Sequence, residues 1–165
     1  MTWASEPLTD HHLVQAFACG KPALDEWLIN QARRAQRQGT ARVYVWADPE
    51  TGRVVAYYAL APTAVGKAGL PRSASGGVSV IPGHLIARLA LDQSIQSQGL
   101  GTALLLDAIE VVLQAAQRAR GRLIIVDAID HEAGAFYSAH GFRQLADTNR
   151  WYLTTAQASV LLEKS

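Results

Sequence analysis

The chain has 165 residues, of which 49% are hydrophobic and 18% are charged, and its net charge is +1. This length fits one domain with its own hydrophobic core, so we expect a single domain over residues 1–165. The composition excludes disordered, collagen-like and disulfide-rich chains, and no uninterrupted apolar run reaches the ~20 residues of a membrane span. With one cysteine, Cys19, and no signal-peptide pattern, the expected location is the reducing cytoplasm, away from any membrane.

Charge is distributed unevenly along the chain. Residues 27–91 contain eight basic and two acidic side chains, a net of +6, whereas the remainder has seven basic and twelve acidic side chains, a net of −5. Such a segment presents a basic face to a polyanion, or it is simply the solvated side of helices. The cysteine and the five histidines do not have metal-ligand spacing, so we expect no metal site.

The N-terminal third predicts a short strand at residues 3–7 followed by two helices. Asp10 is placed to cap a first helix whose apolar positions end at Phe17. Pro22 suits the first turn of a second helix, and Gly39 ends that helix.

The middle of the chain predicts an antiparallel hairpin and then a loop. Residues 41–47 and 53–64 have the composition of two strands, and residues 48–52 form the turn between them. Residues 65–83 contain five glycines, three serines and two prolines. We therefore expect a mobile loop there, at a position useful for gating a substrate.

Residues 84–116 organise the second half of the chain. They predict a buried strand at 85–91, a polar connection at 92–98 and a long helix, with Gly99 and Gly101 where the connection becomes helix. The first N–H groups of a helix have no partner within it and carry partial positive charge, and glycine allows a ligand to approach the backbone closely. The pattern predicts an anion site, most often for phosphate.

Two other interpretations fit the same glycines. One is a turn that merely requires a positive φ. The other is a dinucleotide-binding fingerprint, with Asp127 at the end of the next strand as the ribose-binding acid. The fingerprint fits poorly because Leu104 replaces its third glycine and a polar connection separates the strand from Gly99.

The last part of the chain predicts one more strand–helix pair and a closing hairpin. Residues 122–128 form a buried strand and residues 130–139 a helix. The final strands are expected at 142–146 and 150–154, and Thr155 is placed to cap a C-terminal helix.

Two segments carry a family resemblance. Residues 96–101, QSQGLG, resemble the Gln/Arg-x-x-Gly-x-Gly/Ala signature of the GCN5-related N-acetyltransferases, the GNAT superfamily. Residues 133–142, AGAFYSAHGF, resemble its A-x-x-F-Y-x-x-x-G-F segment. The resemblance implies an α/β (α+β) GNAT fold: a mixed, mostly antiparallel central sheet of roughly six or seven strands with helices on both faces. It also implies a splay between the two central parallel strands.

The resemblance implies acetyl-coenzyme A (acetyl-CoA) in that splay. In the family, loop amides hold the diphosphate, and the backbone of the preceding strand pairs with the pantetheine arm as an added strand would. The residues implied for cofactor binding are Leu89, Ala90, Leu91, Gln96, Ser97, Gln98, Gly99, Leu100, Gly101, Thr102 and Phe136.

Acetyl transfer to an amine needs a neutral nucleophile, an oxyanion stabiliser and a proton donor for the leaving thiolate. GNAT enzymes commonly place a tyrosine beside the thioester sulfur, which implies Tyr137 as the general acid. A phenol with a pKa near 10 stays protonated at neutral pH and can protonate a thiolate of pKa about 8–9. The alternative is that Tyr137, next to Phe136, is only part of the core.

No general base stands out. The candidates are His84, His131, His140, Glu132 and Asp92. His140 is better explained as a residue that balances the dipole at a helix C-terminus. An α-amine titrates near 7.7–8.0, and an esterified amino acid titrates lower, so this acceptor needs no base. The absence of a clear base therefore favours an α-amine acceptor over a lysine side chain.

Motifs in the N-terminal half of the chain indicate a narrower group within this superfamily. Residues 17–28, FACGKPALDEWL, resemble the F-x-C-G-x-x-x-L-x-x-F/W-L opening of GNAT toxins from type II toxin–antitoxin modules, and residues 88–92, RLALD, resemble their R-L-A-x-D strand. Such toxins acetylate the amino group of aminoacyl-tRNA and block translation, although they are usually more basic overall. The implied partners are aminoacyl-tRNA, a ribbon-helix-helix antitoxin and a second copy in a homodimer. The implied tRNA contacts are Arg33, Arg34, Arg37, Arg72 and Arg88.

Two alternative functions stay open at this point. The chain could be a GNAT enzyme that acetylates a small amine or a protein N-terminus. It could also be a non-catalytic GNAT-fold subunit that only binds a partner.

Overall fold

The computed structural model describes residues 3–68, 70–77, 79–119 and 122–165. The strands within them are β1 (Glu6–Pro7), β2 (Arg42–Ala47), β3 (Val54–Gly66), β4 (Val80–Leu91), β5 (Leu123–Asp127), β6 (Arg143–Gln144) and β7 (Arg150–Thr154). The helices are α1 (Pro22–Asn30), α2 (Ala32–Gln38), α3 (Arg72–Ser75), α4 (Leu100–Ala119), α5 (His131–Ala139) and α6 (Thr155–Glu163). A 3₁₀ turn covers Gln93–Ile95.

The strands form a seven-stranded sheet in the order β1-β2-β3-β4-β5-β7-β6. β4 and β5 are parallel, with residues 83–86 paired to residues 123–126. The pairs β1–β2, β2–β3, β5–β7 and β6–β7 are antiparallel. The predicted mixed, mostly antiparallel sheet is therefore confirmed, while the splay of the two parallel strands stays a prediction.

The chain divides into two compact units, each with its own core. Unit 1 is Met1–Ala61 with Arg88–Ala108, and unit 2 is Pro62–Ala87 with Ile109–Ser165. Large side chains such as Trp27, Leu28 and Tyr57 fill the core of unit 1. Ile81, Leu123, Ile125 and Tyr152 are prominent in a core cluster of unit 2. The predicted single domain over residues 1–165 stays a prediction beside this division.

The helix predicted from Asp10 to Phe17 is wrong. This segment forms turns instead, and the Leu13 backbone bonds to the start of β3: its N–H donates to Gly52 at 2.8 Å, and its carbonyl accepts from Val54 at 2.9 Å. Phe17 is buried as expected. Apolar residues at a spacing of three or four fit turns as well as a helix when another strand satisfies the backbone.

Other predicted element boundaries differ from those in the structure. The long second helix is two helices, because Gln31 leaves helical geometry at φ −127 between α1 and α2; Gly39 ends α2 in the left-handed region at φ 75, as predicted. The region 65–83 is not one loose loop, since β3 runs to Gly66, α3 follows, and β4 begins at Val80. Thr154 rather than Thr155 caps α6.

Helix α4 has the length and composition of a membrane span, over Leu100–Gln117. Leu104, Leu105 and Ala108 on this helix are nevertheless fully buried. Asp107 accepts hydrogen bonds from Trp46 Nε1 at 2.9 Å and from Ser5 Oγ at 3.0 Å. These contacts identify the first half of α4 as a core helix of unit 1.

Candidate active site

The predicted anion site lies in unit 1, between the end of β4 and the start of α4. Ser97 and Gly99 have φ values of 63 and 76, so the backbone reverses twice before α4 begins at Leu100. Residues 96–99 are exposed. A Cβ added at Gly99 would meet no atom of the described residues within 4 Å. The positive φ requires glycine here, and the open space leaves the helix N-terminus accessible to an anion.

Asp92 is a buried carboxylate at the start of this loop. Its Oδ1 accepts from the Ala18 N–H at 2.9 Å, and its Oδ2 accepts from Ser94 N–H at 3.0 Å and Ser94 Oγ at 2.6 Å. Arg53 Nη2 lies 3.3 Å away. Burial alone would raise the pKa of Asp92, but the hydrogen bonds from Ser94 and Ala18, together with Arg53, outweigh it and hold the pKa below its ordinary value.

Gln96 fixes the other side of the loop. Its Nε2 donates to the carbonyl of Cys19 at 2.7 Å and to the carbonyl of Leu91 at 2.9 Å. Both donors of the side-chain amide therefore point into the protein rather than toward a ligand. The structure assigns the amide of this predicted cofactor residue a supporting position, under the exposed backbone of residues 97–99.

Ahead of the loop on β4, Arg88 lies over an aromatic cluster of unit 1. Its guanidinium carbon is 4.3 Å from the centroid of the Trp27 ring, a cation–π distance. Trp27 stacks on Tyr57 with centroids 6.0 Å apart, and the Tyr57 hydroxyl donates to the Leu24 carbonyl at 2.7 Å. The aromatic rings thus set the direction of one predicted substrate-binding arginine. Ala90, two residues on, is buried in the unit 1 core.

Tyr137 lies on α5 in unit 2, where Asp130 caps the helix by accepting from the Ala133 N–H at 2.9 Å. The tyrosine is 5% exposed and packs against Phe136 and Phe142, with centroids 5.4 and 5.5 Å away. Burial, and secondarily the negative charge of Asp127, raises the pKa of Tyr137 well above that of a free phenol. Its hydroxyl therefore carries a proton throughout the physiological range.

The candidate bases have other roles or positions. His140 Nδ1 lies 2.8 Å from the Phe136 carbonyl, so its ring donates to the end of α5, as expected for a C-terminal histidine. Asp92 has both oxygens occupied. Burial lowers the pKa of His84, and His131 and Glu132 are exposed at the start of α5. The described residues contain no group of three or more His, Cys, Asp or Glu side chains able to hold a metal.

The predicted tRNA-binding arginines differ in their surroundings. Arg33 Nη2 donates to the carbonyls of Thr9 and His12 at 3.0 and 2.6 Å, so this side chain ties α2 to the preceding turn. Arg34 and Arg37 are exposed on the same helix. Arg72 is exposed on α3 in unit 2. The exposed Arg34, Arg37 and Arg72 are therefore better placed to contact a polyanion than Arg33, whose guanidinium is bonded to backbone carbonyls.

Asp127, the acid of the rejected dinucleotide interpretation, lies across from Arg150 on the β5–β7 pair. Arg150 Nε is 3.1 Å from its Oδ1, so the carboxylate is already in an ion pair. The sequence motifs include Trp27 and Asp92, but the sequence did not predict that Trp27 lies against Arg88 or that Asp92 supports the loop. The signal for Asp92 was present in the Asp92-Gln93-Ser94 pattern, which is typical of a capping carboxylate followed by a turn.

Residues 39–144 match the acetyltransferase (GNAT) domain family. A tRNA-acetylating toxin of Mycobacterium tuberculosis, strain ATCC 25618 / H37Rv, is 39% identical over 135 residues, which cover 81% of this chain and 80% of that protein.

Solved structures of similar proteins cover nearly the whole chain. AtaT complexed with acetyl-methionyl-tRNAfMet has a TM-score of 0.87 at 30% identity, over 97% of this chain and 99% of that one. AtaTR bound with acetyl-CoA has a TM-score of 0.85 at 30% identity, over 96% and 97%. A tyrosine-to-phenylalanine variant of AtaT, bound to the C-terminus of the antitoxin AtaR, has a TM-score of 0.83 at 28% identity, over 96% and 97%.

The family match covers more than half of the chain, and the mycobacterial relative matches along most of its length. The structure has an exposed loop with positive φ before α4 and a buried tyrosine on α5 at the positions of the two sequence motifs, while anion binding at the loop stays a prediction. The chain belongs to the GNAT acetyltransferase family and is an acetyltransferase.

Proposed function

We propose that this acetyltransferase transfers an acetyl group from acetyl-CoA to the α-amino group of aminoacyl-tRNA, and that it is a toxin of a toxin–antitoxin module. The observation that carries the proposal is the exposed loop at residues 96–101, with positive φ at Ser97 and Gly99. It occurs in a chain that is 39% identical to a tRNA-acetylating toxin. A blocked α-amine cannot accept a peptide, so the product stops translation.

The loop fits the diphosphate of acetyl-CoA. Residues 97–99 expose their backbone at the positive end of α4, a helix of 20 residues, which favours a ligand with two adjacent negative charges. Leu89, Ala90 and Leu91 at the end of β4 are proposed to pair with the pantetheine arm through their backbone. When bound, acetyl-CoA supplies an activated acetyl group with a thiol as its leaving group.

Tyr137 is proposed as the general acid of a direct transfer. The amine nitrogen bonds to the acetyl carbon, the carbon–sulfur bond breaks, and the Tyr137 hydroxyl gives its proton to the departing thiolate. The phenol then regains a proton from solvent, which also takes the proton lost by the amine. A phenol of raised pKa is a weak acid, so donation requires that the thiolate is desolvated too and is a correspondingly stronger base.

The acceptor needs little activation by the protein. The candidate bases Asp92 and His140 are hydrogen-bonded within the protein, and an esterified α-amine is largely neutral near pH 7. The exposed Arg34, Arg37 and Arg72, with Arg88 oriented by Trp27, supply positive charge for the tRNA backbone.

The proposed toxin–antitoxin module implies two further partners for this chain. They are an antitoxin with a ribbon-helix-helix domain and a second copy of the chain in a homodimer, both in the cytoplasm, where charged tRNA is found. The AtaT variant bound to the C-terminus of AtaR supports an antitoxin partner for a protein of this fold.

A direct test uses the purified chain, labelled acetyl-CoA and a pool of charged tRNA, followed by sequencing of the labelled tRNA. Label on the aminoacyl end of tRNA is the expected result. If acetyl-CoA is consumed with small amines or peptide N-termini but not with tRNA, the acceptor is one of those amines and the proposed tRNA acceptor is wrong. If no amine is acetylated, the chain is a non-catalytic subunit that only binds a partner.

Tyr137→Phe tests the proton donor. We expect kcat with aminoacyl-tRNA to fall about a hundredfold or more, because the thiolate loses its acid, while the Kd for coenzyme A stays within about twofold. In cells, growth arrest on expression should be relieved. Tyr152→Phe is a matched control, because Tyr152 is also 5% exposed in unit 2. Equal activity of the two variants would remove Tyr137 from the mechanism.

A further inference from the structure

The turn at residues 18–20 contacts the connection between β4 and α4 at residues 92, 93 and 96. The Ala18 N–H donates to Asp92 Oδ1 at 2.9 Å, and the Ala18 carbonyl accepts from the Gln93 N–H at 2.8 Å. The Cys19 carbonyl accepts from Gln96 Nε2 at 2.7 Å. Residues more than 70 positions apart in sequence are thus joined by three hydrogen bonds at successive points.

The 18–20 turn is itself held in one conformation. Its Gly20 has φ 95, in the left-handed region that favours glycine, and lies beside the Gln93 side-chain amide. The Cys19 N–H donates to Asp25 Oδ1 at 2.9 Å, which fixes the turn to α1. The turn is therefore an anchored support rather than a mobile neighbour of the loop.

Asp92 is the central group of this support. The Asp92 carboxylate accepts hydrogen bonds from Ala18 in the 18–20 turn and from Ser94 in the 3₁₀ turn, and it forms an ion pair with Arg53, the residue before β3. The Asp92 N–H also donates to the Val55 carbonyl of β3 at 2.8 Å. Charge-assisted hydrogen bonds to a buried carboxylate are among the stronger polar contacts in proteins, so this group can hold a loop against its own conformational freedom.

We infer that Asp92, with the 18–20 turn, is a positioning residue for the diphosphate of acetyl-CoA: it holds residues 97–99 in the conformation that exposes their backbone to the anion. The inference rests on the proposed use of acetyl-CoA and extends it to residues that have no direct contact with the ligand. The inference assigns the same role, support of residues 97–99, to the 18–20 turn and to Asp92, although they lie far apart in the sequence.

The test compares two ligands that differ in the diphosphate. Coenzyme A carries it, whereas pantetheine contains only the arm and the thiol. With the full chain, calorimetry gives the Kd of coenzyme A and ligand-observed NMR gives the Kd of pantetheine. For Asp92→Asn we expect the Kd of coenzyme A to rise about tenfold and that of pantetheine to stay within about twofold.

Asp48→Asn is the matched control. Asp48 also caps a turn of unit 1, by accepting from Glu50 N–H at 2.8 Å and Thr51 N–H at 3.3 Å, but its turn joins β2 to β3. This variant should bind both ligands as the unchanged protein does. A parallel loss of both ligands in Asp92→Asn, or an unchanged Kd for coenzyme A, would overturn the inference, because a general packing role does not distinguish the diphosphate.

A second variant covers the case in which Asp92→Asn does not fold. Gln96→Met keeps the length of the side chain but removes the donors to Cys19 and Leu91, and the same selective loss of coenzyme A affinity is expected. In the double variant the two losses should not add, because both act on one loop. A chain that binds coenzyme A but does not acetylate tRNA would contradict the proposed acceptor only, whereas no binding by the unchanged chain would overturn both proposals.

Discussion

Tyr137 carries a polar hydroxyl in an apolar environment. Its ring is enclosed by Phe136 and Phe142, and the hydroxyl lies in a site where the charged form is disfavoured by burial and by Asp127. The same surroundings that stabilise the folded chain therefore keep the proton on the phenol. Desolvation is the main physical cause of the raised pKa of Tyr137.

The raised pKa of Tyr137 predicts an alkaline titration. Because the pKa of Tyr137 in the folded chain lies above the ordinary phenol value of about 10, Tyr137 should show no tyrosinate absorbance at pH 10, where a free phenol is half ionised. The raised pKa of Tyr137 also links the free energy of unfolding to pH. The contribution of the buried neutral phenol is fully present below the unfolded-state pKa near 10, and it is lost as pH rises through the folded-state pKa. The difference between ultraviolet titrations of the unchanged chain and Tyr137→Phe measures it. Tyrosinate appearing in that difference at pH 10 would contradict the buried phenol.

Helix α5 is positioned by a close contact with β7. A Cβ added at Gly134 would lie 3.3 Å from the Trp151 ring, so a larger side chain there would push the helix and the indole apart. Tyr137 follows three residues later, on the same face of the helix. The close approach of Gly134 to Trp151 is therefore one of the contacts that position α5, and with it Tyr137, within unit 2.

Gly134→Leu should disturb this arrangement. Overpacking against Trp151 is expected to lower the free energy of unfolding by about 1–3 kcal/mol and to reduce kcat, because α5 must shift with Tyr137. Ala135→Leu adds the same side chain at an exposed position of α5 and serves as the control. Thermal unfolding and acetyl transfer measure both effects. Unchanged stability and activity in Gly134→Leu would show that the contact with Trp151 does not set the helix.

At the scale of the whole molecule, a net charge of +1 conceals a basic segment of +6 over residues 27–91. Binding to a polyanion depends on local charge, because each neutralised phosphate releases counterions. The structure separates the arginines of that segment into two groups. Arg33 is bonded to backbone carbonyls, whereas Arg34, Arg37 and Arg72 have exposed side chains.

Arg34→Gln with Arg37→Gln should weaken tRNA binding and reduce the slope of log affinity against log salt by about one for each arginine. The free energy of unfolding should hardly change, because both side chains are exposed. Arg33→Gln should behave in the opposite way, with a loss of about 1–2 kcal/mol of stability from two unsatisfied carbonyls and a smaller change in slope. Salt titrations of tRNA binding and denaturant unfolding distinguish the two groups. Equal slopes in all variants would exclude an RNA contact at Arg34 and Arg37.

Much of the fold followed from local signals. Strand and helix periodicity, Pro22 at the start of α1, Gly39 at the end of α2 and the glycine before α4 are properties of a few neighbouring residues. Backbone geometry therefore makes them readable without the fold. The resemblance of residues 96–101 and 133–142 to one superfamily then predicted the sheet and the acetyltransferase activity correctly.

The tertiary structure decided what depends on residues distant in sequence. The segment from Asp10 to Phe17 is not a helix, because β3 satisfies the backbone of Leu13, and Arg33 is an internal tie because Thr9 and His12 offer their carbonyls. The sequence by itself determined where a backbone could bind an anion. Only the folded chain, by bringing residue 18 to residue 92, decided which groups hold that backbone in place, since hydrogen bonds between distant segments leave no periodic trace in the sequence.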